Sequence, residues 1–426
     1  MKKRIIIALS IVFLALAVFS IINYGPFATL DELELYNNDD SKYLRAAETL
    51  INTGTLTYNN PSEPTVFIMP GIIFLLTPFV ALFGQNGAVL AFKIFQALLQ
   101  MLNLWLVWLI AKRCFDKKIA ILAVIISIFY IADFYAMNTV LTEVVFKTLV
   151  ISMIFFTIKA FEAPGIKSYI PAGIFWAVAI LFRPTILLFP IVVLIIWIVK
   201  RYRFTDILKY SFLVLSIAVL FLSGWWIRNY IQFDKFIPLT LSTGNPMLQG
   251  TYIDYQKDES EEMILDYTQV HLPNLEGLPS EIVDNIRETE IAKYRLKQLF
   301  PLKPVQFISW YTIGKTAYQW SMPFVWRPIM NVPLTLIYAQ HSIIITFFLI
   351  GLMLALFDKQ RNYKWLFLFL TILYFNCIHL PFYAFSRYIF PCMPLVIIFA
   401  AYGIFRVIRL VRNAAASKKI SQIKKI

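Results

Sequence analysis

Apolar runs of membrane-spanning length alternate with short polar intervals along almost the whole chain. An α-helix needs roughly 20 apolar residues to cross a bilayer. Backbone in lipid must satisfy its own hydrogen bonds, so these runs predict helices. They fall at 5–22, 88–110, 118–132, 140–158, 169–182, 185–199, 207–226, 334–357, 364–380 and 387–408, ten spans in an expected range of ten to twelve. None shows the two-residue alternation of an outer-membrane barrel. The segment 69–83 (MPGIIFLLTPFVALF) is apolar but short, and it carries Pro70 and Pro78. If it crossed, the basic cluster 111–118 (AKRCFDKK) would lie outside. If it lies in the interface or re-enters, that cluster and every later basic loop lie inside, which the inside bias of Lys and Arg favours.

Two polar intervals are long enough to carry chemistry. The first outer loop, with interfacial helices, covers 23–87 and holds Asp31, Glu32, Glu34, Asp39, Asp40, Glu48 and Glu63. Within it, a helix over 43–51 is expected, with Asp39 or Asp40 as its cap and Gly54 after its end. The second outer loop covers 227–333. It holds an acidic stretch at 254–267, an amphipathic helix at 279–300 and an aromatic segment at 306–322 that suits the bilayer surface. Residues 1–22 predict a retained signal anchor, because no small-x-small cleavage site follows cleanly. The whole chain, 1–426, reads as one transmembrane domain with a basic cytoplasmic tail at 409–426 and no internal repeat. Any chemistry therefore belongs to helix ends and outer loops.

Composition agrees with an all-α polytopic membrane protein: the hydrophobic fraction is 59% and the mean hydropathy +0.68. The net charge of +14 raises nucleic-acid binding as a question. The basic residues sit instead in short loops (Lys112, Arg113, Lys117 and Lys118; Lys159 and Lys167; Lys200, Arg201 and Arg203; Lys359, Arg361 and Lys364) and in the tail (Arg409, Arg412, Lys418, Lys419, Lys424 and Lys425). That pattern orients a membrane protein, excludes nucleic acid as the partner, and places both termini in the cytoplasm of a plasma-membrane protein. The tail also suits anionic lipid headgroups. Three scattered Cys and three His make neither a zinc site nor a disulfide framework.

The candidate chemistry lies at outer span ends. Asp39 and Asp40 read either as a solvated cap or as carboxylates at the mouth of a cavity, able to take a proton from an acceptor hydroxyl or to bind a metal. Glu143, in NTVLTEVVFKTLV, begins a span; an ionisable group there faces protein or water, or simply suits a helix N-terminus. Asp133 is the weaker alternative. Arg183 in FRPT, Arg228 in GWWIRNY and Arg387 in FSRYIFP, with His379 before it, all sit at the outer boundary. Snorkelling accounts for one such arginine; three against the inside bias point to an anionic ligand. Lys293, Arg295 and Lys297 read as a solvated helix face. No nucleotide-binding glycine loop, dinucleotide fingerprint, zinc-protease or nucleophile-elbow motif occurs. An outer-facing site has little access to nucleotides, and a sugar carried on a lipid phosphate would solve that problem.

With these pieces in place, the chain resembles the C-type (GT-C) membrane glycosyltransferases, and more narrowly the protein mannosyltransferase and lipid A aminoarabinose transferase superfamily. The resemblance is carried by DDSKYLRAAETLINTG, MPGIIFLLTPFVALFG, KRCFDKKIAILAVIISIFYIADFYAMNTVLTE, FRPT, GWWIRNYIQFDKFIPLT and RYIFPCMPL in that order. It implies a polyprenyl-phosphate-linked sugar donor, inversion at the anomeric carbon, and an outer-face acceptor that is a glycolipid, a wall polymer or a protein. It makes Asp39 the base or acceptor-orienting group, with Asp40 its acidic neighbour, and Glu143 the second acidic position, where relatives often carry Asp. Arg183, Arg228 and Arg387 become candidates for the lipid phosphate. No cofactor is expected; a divalent metal, as in oligosaccharyl transferases of this fold, would take Asp39 and Glu143. A short tail is expected in place of the large C-terminal soluble domains of those families. Two other readings compete. A transporter or flippase of a lipid-linked sugar predicts paired repeats and broken mid-membrane helices. A scaffold predicts that Asp39 and Glu143 are dispensable.

Overall fold

The computed structural model describes residues 2–25, 38–256, 275, 278–357 and 362–423, with side chains from 4 to 415. Asp31, Glu32, Glu34, the acidic residues from 258 to 266, Lys359, Arg361, Lys424 and Lys425, and the side chains of Lys418 and Lys419, lie outside the described residues.

Every regular element of the described chain is helical, apart from one isolated bridge between Ile329 and Val332. In order, the helices are α1 (Lys2–Tyr24), α2 (Asp39–Thr53), α3 (Gly71–Cys114), α4 (Lys117–Ile128), α5 (Ile131–Asn138), α6 (Glu143–Glu162), α7 (Ile166–Phe182), α8 (Pro190–Val199), α9 (Phe204–Phe233) and α10 (Gly244–Gly250). There follow α11 (Ser280–Leu299), α12 (Pro304–Ser309), α13 (Lys315–Ser321), α14 (Leu334–Leu356), α15 (Tyr363–Cys377), α16 (Ser386–Ile389) and α17 (Met393–Ile423). Six helical stretches are long and apolar enough to cross a membrane, and the pair α4–α5, bent by 53°, makes a seventh. The chain is therefore an integral membrane protein. The ten expected spans each coincide with a helix, but Ile166–Phe182, Pro184–Val199 and Tyr363–Cys377 are shorter than crossing length. For α7 the reason is local: Arg183 precedes Pro184 and is extended (φ −146°, ψ 119°), which ends the helix.

Two further features matter for the site. Residues 71–83, expected as a piece separate from the span, form a helix of their own at the start of α3, and a break at Gly84 divides it from the spanning part. Gly84 has φ 66° and ψ 173°, a conformation open to glycine and not to residues with a Cβ. The α4–α5 break is stitched by Gln340, which accepts from the Ile131 amide at 3.1 Å and donates to the Phe129 carbonyl at 2.6 Å, so the broken backbone stays paired.

The centre of the bundle is α6 and the final span: 78% and 83% of their spanning windows are buried, against 17% for α9, whose apolar faces are left to lipid. The last span packs on α14, where Gly351 and Gly403 oppose each other; a Cβ on either would meet a carbonyl of the other helix. Beside α6, Lys147 pairs with Asp133 at 2.7 Å and lies 4.5 Å from the Phe390 ring centroid. Asp133 is thus tied into the bundle interior. Lys147 lies one turn after Glu143 and ties α6 to the segment that follows α16.

Candidate active site

The first-loop helix is longer than expected. It starts at Asp39, with Asn38 at the cap position, and neither aspartate caps it from outside; both lie in its first turn, where a helix N-terminus favours negative charge. The two then diverge. Asp40 is fully buried, accepts from the Ser41 amide at 2.9 Å, lies within electrostatic reach of Lys93 on α3, and does not line the cavity described below. Asp39 faces that cavity and keeps about a third of its side chain exposed (34%).

Three elements distant in sequence meet at Asp39. Tyr58 donates to its Oδ1 at 2.6 Å, and Arg387 on α16 donates to its Oδ2 at 2.7 Å. Arg387 also donates through Nε to Oε1 of Glu143, the first residue of α6, which is fully buried. Arg183 donates to the same Glu143 oxygen and, through Nε, to Thr142 Oγ1 at 2.9 Å. The result is a chain of alternating charge: Asp39, Arg387, Glu143, Arg183. Burial alone would push the Asp39 carboxyl up. The charge of Arg387, the Tyr58 hydrogen bond and the charge of Arg183 outweigh it and hold that carboxyl below the usual carboxylate range.

The chain borders a cavity of about 280 Å3 lined by Asp39, Arg183, Arg387, His379 and the rings of Tyr43, Phe67, Tyr383 and Tyr388. Thr240, Ser242 and Thr243 supply hydroxyls to its rim. It sits near the lower end of small-ligand pocket sizes, roughly 300–1,000 Å3. Tyr58, Thr142 and the 240–243 hydroxyls were not singled out from sequence. The FIPLT stretch that leads into them was, but as a resemblance.

Arg228 does not line the cavity. It donates to the Thr65 carbonyl at 2.7 Å and to the Leu56 carbonyl at 3.3 Å, and so clamps the end of the first loop. Glu281 on α11 completes the clamp, accepting from Thr65 Oγ1 at 2.6 Å and Asn59 Nδ2 at 3.1 Å. Hydrogen bonds to charged groups contribute about 1.5–3 kcal/mol. Arg228→Met should therefore speed proteolytic nicking within 55–66 by about tenfold or more. Limited proteolysis with peptide mapping checks this; unchanged cleavage would mean that the clamp is idle.

A second grip holds the corner that carries Arg387. Lys315, fully buried, donates to the carbonyls of Leu380 at 2.8 Å and Phe382 at 2.9 Å. The Tyr383 amide donates to the Pro246 carbonyl at 2.7 Å. Burial pulls the Lys315 amine down to about 7. Its two acceptors suit a neutral amine, which has two N–H groups to give. In the unfolded chain the group titrates near its ordinary value of 10.5. Between pH 7 and 10.5 the unfolded state therefore binds the extra proton, stability rises with pH, and the gain is lost as pH falls through 7. The melting temperature of the wild type should rise from pH 7 to 9. Lys315→Met, although less stable throughout, should flatten that slope.

The donor set does not suit a divalent cation. The Asp39 and Glu143 carboxylates both lie against Arg387, and among the described residues no group of three or more His, Cys, Asp or Glu could hold a metal. The Arg387 guanidinium bridges the two carboxylates, in the place a cation would take.

A family model described as dolichyl-phosphate-mannose-protein mannosyltransferase matches residues 62–227. No curated protein sequence matches the chain. Among solved structures, the archaeal oligosaccharyltransferase AglB from Archaeoglobus fulgidus, in complex with an inhibitory peptide and a dolichol-phosphate, aligns with a TM-score of 0.58 at 14% identity, over 98% of this chain and 52% of that one. The apo form of the Archaeoglobus fulgidus oligosaccharyltransferase aligns with a TM-score of 0.58 at 12% identity, over 99% and 52%. ArnT from Cupriavidus metallidurans bound to undecaprenyl phosphate aligns at 13% identity over 92% of this chain and 77% of that one, with a TM-score of 0.42. The chain has the GT-C membrane glycosyltransferase fold, and it spans about half the length of the oligosaccharyltransferase chains it matches.

Proposed function

We propose that the protein is an inverting glycosyltransferase that moves a sugar from a polyprenyl-phosphate carrier to an acceptor at the outer face of the plasma membrane, with both termini cytoplasmic. The observation that carries this reading is the convergence of one partly exposed carboxylate and two guanidinium groups on a single cavity in a GT-C fold. The cavity's size suits one sugar better than an oligosaccharide.

In this reading the carrier phosphate sits against Arg183 and Arg387. Both are partly exposed, at 14% and 12% of their side chains, and already held in place by Glu143. Asp39 orients the acceptor hydroxyl. The acceptor oxygen bonds to C1 of the sugar from the face opposite the phosphate, and the C1–O bond breaks with its electron pair leaving on the phosphate. The acceptor proton passes to Asp39. The arginines offset the charge that grows on the departing phosphate, an electrostatic role that needs no motion at the moment of reaction. Phosphate is a fair leaving group, so no general acid is needed. Glu143 acts through the two arginines and is a positioning residue. Tyr383, Tyr388 and the 240–243 hydroxyls surround the sugar.

The test is the anomeric configuration of the product formed from labelled polyprenyl-phosphate sugars and a membrane extract that supplies acceptors. Opposite configuration in donor and product is expected. Retention would overturn direct displacement, and donor that crosses the bilayer with its sugar still attached would favour a flippase.

A further inference from the structure

At the far end of α3 from the cavity, a second pocket of about 840 Å3 opens between the end of α3, the start of α4 and α17. Its lining includes Lys112, Lys117, Lys118, Arg409 and Arg412, with Asp116 the one acid among them. Asp116 is already engaged, accepting from the amides of Lys118 at 2.6 Å and Ile119 at 2.9 Å as the cap of α4. Among the described residues none of the five cations has a carboxylate in ion-pair distance.

That absence is informative because neighbouring cations on the same face do have acid partners. Glu162 takes Arg113 at 3.4 Å and Lys364 at 2.5 Å. The face therefore carries two kinds of basic residue: those neutralised within the bundle and five that line one pocket, of which Lys112 also lies 5.1 Å from the Trp108 ring centroid. Five like charges around a common pocket repel one another, so the arrangement suits an anion. Phe405 and exposed Ile408 form an apolar wall on the same pocket. A free phosphate has no use for that wall, whereas a lipid would lay its glycerol and chains along it.

Depth agrees. Residues 85–113 of α3 rise about 42 Å at 1.5 Å per residue. A bilayer with its headgroup regions is about 40–45 Å thick. With the cavity at one headgroup level, the pocket lies at the other.

We infer that this pocket binds the phosphate headgroup of an anionic phospholipid in the leaflet opposite the cavity. The inference is independent of the activity proposed above. Purified protein in phosphatidylcholine discs with or without phosphatidylglycerol is released and examined by native mass spectrometry, with the melting temperature measured alongside. Lys117→Gln/Arg412→Gln removes two pocket charges; Lys167→Gln/Arg203→Gln removes two exposed basic residues outside it. Each basic group near an anionic surface is worth on the order of a fivefold effect. The pocket variant should retain phosphatidylglycerol about 25-fold less well and lose the lipid-dependent rise in melting temperature, while the control variant keeps both. Equal loss in the two variants would leave only diffuse surface charge and overturn the site, as would unchanged retention in the pocket variant. Displacement of the lipid by inorganic phosphate or glycerol phosphate would reassign the pocket to a soluble anion and overturn the lipid.

Discussion

Asp39→Asn should lower sugar transfer by about 10²- to 10⁴-fold, the range for loss of a positioned acid–base group, while binding of polyprenyl phosphate persists. The amide oxygen can still accept from Tyr58, so the shape of the site is kept. What is lost is the charge that orients the acceptor and receives its proton. Because Arg387 and Tyr58 keep the carboxyl below its ordinary range, Asp39 stays ionised throughout pH 5 to 8. Asp39 should therefore contribute no acidic limb to the rate profile in that window, and a limb found there belongs to the acceptor or the donor. Asp39→Glu should recover little, since misplacement by about 1 Å can cost 10²-fold. Initial rates at matched donor occupancy are the measurement; a full rate in Asp39→Asn would remove the residue from the chemistry.

Glu143→Gln should damage both the fold and the reaction. The carboxylate is fully buried and neutralises two arginines, each less than a fifth exposed. Glutamine keeps its size and can still accept at one atom, so the change isolates the charge. Removing one member of a buried ion pair costs about 3–5 kcal/mol. Asp39 still faces Arg387 after the change, but Arg183 loses its carboxylate. Thermal unfolding in detergent should show a large loss of stability, and transfer should fall with it. Added polyprenyl phosphate should raise the melting temperature more in Glu143→Gln than in the wild type, because its phosphate replaces the missing negative charge. Equal stabilisation of the two proteins would mean that the phosphate binds elsewhere.

Much of this site was legible in the sequence, for one physical reason. Ionisable groups at or within membrane spans are costly and need partners, so Asp39, Glu143, Arg183 and Arg387 stand out from an apolar background. Their assembly was not legible. Arg387 reaches across 348 residues to Asp39 and 244 to Glu143, and no local spacing encodes that. Arg228 gave the same signal as the other two arginines, yet its partners are the backbone carbonyls of Leu56 and Thr65, which carry no side-chain signature. Tyr58 was hidden among 22 tyrosines. The helices were readable from apolar run length, whereas the exact break between 71–83 and the next span lies in the conformation of Gly84. Short helices around Arg183 follow from Pro184 and Pro190, which run length alone does not register.

The most direct test uses purified protein in lipid with polyprenyl-phosphate donors radiolabelled in the sugar, a membrane extract as the acceptor source, and Asp39→Asn alongside. The account predicts label leaving the carrier for a new product in the wild type and almost none in the variant, with equal binding of the donor by both. Donor bound by the wild type with no label leaving the carrier, across the donor panel and a competent extract, would contradict it.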